Sequence, residues 1–84
     1  MKVYISSTLR SFFERRTETE INGNTIRKVL NTLTDEYPEA KKGLYDENGK
    51  LREFIRIFVG DEDRTGSEYL DSVLPENAEI LLLP

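Results

Sequence analysis

The chain has 84 residues, a net charge of −4 and a pI near 4.8, so its core must be economical, because a small chain buries a smaller share of its surface. It contains no cysteine and no histidine, which removes disulfides, thiolate metal sites, thiol nucleophiles and any Ser-His or Cys-His hydrolytic pair. Both signs of charge are interspersed rather than blocked, and no apolar run has the length of a signal-peptide core or a membrane span, so neither nucleic acid nor membrane is an expected partner and the chain reads as cytoplasmic.

Val3 and Ile5 alternate with Lys2, Tyr4 and Ser6, the period-2 pattern of a strand with one face buried. Residues 8–17 carry Leu9, Phe12 and Phe13 among arginines, and the following "ETEI" alternates toward Ile21 before the turn signal Asn22-Gly23-Asn24. This reads as a long connection and a second strand pairing back on the first. Thr25 is a good N-cap, and Ile26, Val29, Leu30, Leu33 and Tyr37 then fall on one stripe of a helix of about 13 residues, which Pro38 stops.

From Glu39 to Lys50 the composition is polar, with Gly43 and the turn-forming Asp46-Glu47-Asn48-Gly49, and is expected to be a loop pinned by Leu44 and Tyr45. "REFIRIFVG" then reads as a strand with Ile55, Ile57 and Val59 on one face and Phe54, Arg56 and Phe58 on the other, followed by an acidic turn, Asp61-Glu62-Asp63. That turn opens like a calcium loop, but the twelfth position is Ser72 rather than a bidentate glutamate, so no metal site is expected. Leu70, Val73 and Leu74 are expected to form a short buried turn, and "AEILLLP" is the last strand. A sheet of four or five strands covered by one main helix makes an α+β domain spanning residues 1–84.

Strand parity divides the last strand. Ile80 and Leu82 point to the helix, whereas Leu81 and Leu83 point to the other face of the sheet, where Phe58 would join them in an exposed docking patch flanked by Arg56. The competing expectation is that the 8–17 connection covers Leu81 or Leu83 with its phenylalanines.

"REFIRIFVGDED" followed by "LPENAEILLLP", with "MKVYISSTLR" and "NGNTIRKVLNTLTDEYP" before them, resembles the ubiquitin-like sulfur carriers related to the small molybdopterin-synthase subunit and the thiamine-biosynthesis carrier. "GKLREFIRIFVGDEDR" is most similar to the carriers that serve cysteine or homocysteine synthesis. The resemblance implies a β-grasp fold and a non-catalytic protein with no cofactor. Its C-terminal Gly-Gly tail would be adenylated by an adenylyltransferase related to ubiquitin-activating enzymes and converted to a thiocarboxylate, which gives its sulfur to a biosynthetic enzyme. A tail-processing metalloprotease is a further implied partner. The sequence has no Gly-Gly and reaches Pro84, so the resemblance places the tail after Pro84, which turns it outward. The alternative is a ubiquitin-like modifier or interaction module conjugated to target lysines.

Overall fold

The computed structural model describes residues 1–84. Five strands form one mixed sheet in the order β2-β1-β5-β3-β4, with β1 Lys2–Ile5, β2 Glu18–Glu20, β3 Arg56–Val59, β4 Glu62–Asp63 and β5 Glu79–Leu83. The last strand in the chain is the middle strand of the sheet. It runs parallel to β1, with Val3 opposite Ile80 and Ile5 opposite Leu82, and antiparallel to β3, with Ile57 opposite Leu82 and Val59 opposite Ile80. Those six side chains form the inner face, and each is at most 8% exposed. This is the β-grasp arrangement that the resemblance implies.

The inner face is covered by helix α1, Ile26–Glu36, whose Ile26, Val29, Leu30 and Leu33 are all buried. Its start is fixed by Thr25, in extended backbone, whose hydroxyl accepts the Lys28 N–H at 3.2 Å and so satisfies one of the free donors of the first turn. At the other end Tyr37 packs its ring edge-on against Phe13, 5.6 Å between centroids, and its hydroxyl shares a hydrogen bond with buried Thr19 at 3.2 Å. The phenol therefore brings its polar tip into the core with a partner. No helix is long and apolar enough to cross a membrane.

Five local expectations are corrected. The 8–17 connection begins with a 3-10 helix, Ser7–Phe13, that buries Leu9 and Phe13. The polar stretch after Pro38 contains a second helix, α2, Ala40–Leu44, with Ala40 and Leu44 in the core, because Gly43 lets the ring of Phe12 lie directly on its backbone. The acidic turn is partly a strand: Glu62 and Asp63 pair with Val59 and Phe58 through backbone groups, which ask nothing of the side chains. Around residue 73 the expected buried turn holds Leu74, but Val73 is 73% exposed, since the chain is held there by backbone bridging to Thr25 rather than by its side chain. Phe54 likewise precedes the shorter β3, in a turn, and is 55% exposed.

Candidate docking face

On the outer face of the sheet the opposite set of side chains stands in register. Leu81 of β5 lies between Tyr4 of β1 and Phe58 of β3, and Leu83 lies opposite Arg56. Directly opposed side chains in adjacent strands are close enough to touch, so Tyr4, Leu81 and Phe58 form a row across three strands that Leu83 extends toward Pro84. All four are half-buried and Pro84 is exposed. The phenylalanines of the 8–17 connection do not cover this row: Phe13 is wholly buried in the core and Phe12 lies against Gly43 on the helix side. Phe58, Leu81, Leu83 and Arg56 are thus brought together as expected from parity.

Tyr4 is the member that sequence reading passed over. The signal was present, since the Val3/Ile5 alternation that buries one face necessarily turns Tyr4 to the other. What places it beside Leu81 is the parallel pairing of first and last strands, which alternation alone does not specify.

Charged groups border the row in pairs. The Tyr4 hydroxyl donates to Glu79 Oε2 at 2.6 Å, which raises the phenol above its ordinary pKa because the carboxylate favours the protonated donor. Lys2 Nζ lies 3.4 Å from Glu18, and that carboxylate raises the lysine's pKa. On the β3 side Arg56 Nη1 is 3.9 Å from Asp63 Oδ2. Asp63 is held below the usual carboxylate range by Thr65, whose N–H donates to its Oδ1 at 2.9 Å, with Arg56 adding to the effect. At the Leu83 end, Arg10 is anchored by donating its Nε–H to the Ile5 carbonyl at 3.0 Å and lines the same shallow depression as Tyr4, Leu81 and Leu83. Chemically the face is an apolar strip inside a border of charges, the kind of surface that a partner can bury and select by sign.

No protein-family model matches the chain. Its sequence is 29% identical to the sulfur carrier protein CysO of Mycobacterium tuberculosis over 98% of this chain and 90% of that one. The crystal structure of Mycobacterium tuberculosis CysO superposes with a TM-score of 0.83 at 28% identity, covering 99% of this chain and 96% of the other. A chain of the Amycolatopsis orientalis BexX/CysO complex gives 0.83 at 26%, covering 99% and 92%. The small archaeal modifier protein 1 of Methanosarcina acetivorans, in its solution structure, gives 0.80 at 29%, covering 99% and 89%.

Proposed function

We propose that this chain, which has the sequence pattern and the fold of the ubiquitin-like sulfur carriers, is itself a sulfur carrier and not an enzyme. The observation that carries the reading is its likeness to CysO along almost the whole of both chains. The outer face supplies a mechanism to match.

In this reading the chain continues past Pro84 into a Gly-Gly tail whose carboxylate is the working group. An adenylyltransferase related to ubiquitin-activating enzymes joins that carboxylate to AMP, with pyrophosphate leaving ATP. Hydrosulfide released by a donor then attacks the acyl carbon and displaces AMP, leaving a thiocarboxylate, which passes its sulfur to a biosynthetic enzyme. The residues described here do no bond-making. Phe58, Leu81 and Leu83 dock the activating enzyme, Arg56 pairs with a carboxylate on it, and Pro84, with no N–H to donate, ends strand pairing and sends the tail outward. Glycines suit a tail that must thread a narrow channel toward a nucleotide. If the tail carries residues beyond Gly-Gly, a metalloprotease removes them first.

The likeness to a small archaeal modifier protein supports a second reading, in which the same activated carboxylate is joined to a lysine amine of a target. Intact mass of the full-length protein, purified from its own cells, separates the two. A gain equal to one oxygen exchanged for sulfur is the expected result. Lysine-linked adducts in its place would favour the modifier. Neither species, after incubation with the activating enzyme, ATP and a sulfur donor, would overturn both readings.

A further inference from the structure

A second concave surface lies on the helix side of the sheet and shares no residue with the depression on the outer face. It is a groove of about 580 Å³, within the range of pockets that hold small ligands or inserted side chains. Leu30 of α1 and Ile55, both almost wholly buried, form its floor, and half-buried Tyr45, Leu51 and Leu70 form its walls. Arg27, Lys50 and Arg52 also line it, against one carboxylate of the lining, Glu53. Within the lining itself cations therefore outnumber carboxylates three to one, on a chain of net charge −4.

The fold holds the side chains of Arg27 and Arg52 and the backbone of Lys50. Arg27 is gripped by Asp71, Nε to Oδ1 at 2.7 Å and Nη2 to Oδ2 at 3.2 Å. A guanidinium has five N–H donors in a planar fork, so this grip orients it and leaves three donors for a ligand. Its charge also reaches Tyr45, where it lowers a phenol pKa that burial raises. Arg52 is fixed to α2, its N–H donating to the Leu44 carbonyl at 2.8 Å and its Nε–H to the Lys42 carbonyl at 3.3 Å. Lys50 closes a turn stapled by Asp46, whose Oδ1 accepts the N–H groups of Asn48 and Lys50, and Tyr45 bridges Leu51 across it. Neither Lys50 nor Arg52 forms an ion pair within the chain. The acidic groups that bear on the groove are Glu53, Asp71, which is spent on Arg27, and Glu68, whose carboxylate lies over Gly66 at the rim.

We infer that this groove docks an acidic segment of a partner protein, seating an apolar side chain against Leu30, Ile55 and Leu70 while carboxylates pair with Arg27, Lys50 and Arg52. Charge complementarity selects the occupant: Lys50 and Arg52, unpaired within the chain, and the remaining donors of Arg27 beside an apolar floor fit apolar residues flanked by aspartate or glutamate. Because the two surfaces share no residue, the chain can hold a second protein while its outer face is engaged. The inference does not depend on what the outer face carries.

The test is an NMR titration of the ¹⁵N-labelled chain with a capped pentapeptide of alternating aspartate and leucine, beside its asparagine counterpart. Saturable shifts of the Arg52, Thr65, Gly66 and Ser67 amides with the acidic peptide alone, weakening as salt is added, are expected. The double variant K50E/R52E, with both side chains exposed or half-exposed and so compatible with folding, should bind at least about tenfold more weakly, about 1.4 kcal/mol. Four results would each overturn the inference: no saturable shift, equal binding of the neutral peptide, shifts centred on Tyr4 and Leu81, or equally tight binding by free succinate. The last would make the groove a small-anion site.

Discussion

Leu81 and Leu83 are leucines whose neighbours in the chain, Ile80 and Leu82, are at most 1% exposed, yet they themselves remain half-buried. The difference is one of face, and it separates two kinds of substitution. Leu83→Glu or Phe58→Glu places a carboxylate where water already reaches, so the change in unfolding free energy should stay within about 1 kcal/mol. Binding of the activating enzyme should weaken by about tenfold or more, since truncating or charging a central apolar contact of an interface costs about 2 kcal/mol. Chemical denaturation and a binding isotherm on the same variants check this. Loss of stability without selective loss of binding would assign the residues to the core. Tyr4 gives a second prediction on the same face. Its pKa lies above the ordinary 10.0 because neutral phenol donates to Glu79. A raised folded value means that the stabilisation is complete below about pH 10 and disappears as pH climbs through the folded pKa. In Glu79→Gln the Tyr4 ring resonances should titrate at lower pH than in the parent, and an unchanged midpoint would deny the hydrogen bond its role.

At the scale of elements, what could be read from sequence was what repeats. The helix stripe from Ile26 to Leu33 carries its own period and its own cap, and its observed span, Ile26–Glu36, starts after the expected cap and at 11 residues is slightly shorter than expected, with Tyr37 as its C-cap. The strand faces of Val3/Ile5, Ile57/Val59 and Ile80/Leu82 carry theirs. Helix α2 has five residues, too few to show a period, and contains a glycine that reads as a turn. That glycine has a packing role. A Cβ built on Gly43 would stand 2.6 Å from Cδ2 and 2.8 Å from Cγ of Phe12, near the stem of the ring rather than its mobile end. Gly43→Ala is therefore expected to destabilise the fold by about 1–3 kcal/mol through overpacking, despite alanine's better helix propensity. A rise in thermal midpoint would show that Phe12 can turn aside at little cost. The helix-side groove was illegible for a related reason: Arg27, the Lys50–Arg52 stretch and Ser67 come from three separate parts of the chain, and only the folded chain gathers them.

For the whole molecule the decisive feature is that the strand latest in sequence holds the sheet together. β5 is hydrogen-bonded on one side to β1, which brings β2, and on the other to β3, which brings β4. Without it there are two hairpin-like pairs and no shared face for α1 to cover, and isolated two-stranded pairs are marginal in water. Leu82 sits in the middle of this join, wholly buried, with Ile5 on one side and Ile57 on the other. Leu82→Ala should cost about 2–5 kcal/mol in unfolding free energy, a large part of the 5–15 kcal/mol or so available to a small protein. Its effect should also be spread. Amide protection should fall together in β1, β3 and α1, because opening any one of them exposes the same core. Hydrogen exchange distinguishes this from local fraying: a loss of protection confined to residues 79–83, with β1 and α1 unchanged, would mean that β5 is an attachment to an already stable body. Cooperative loss across all three would place β5 at the mechanical centre of the fold, so that a partner bound to Leu81 and Leu83, as proposed, would hold the most stable part of the molecule.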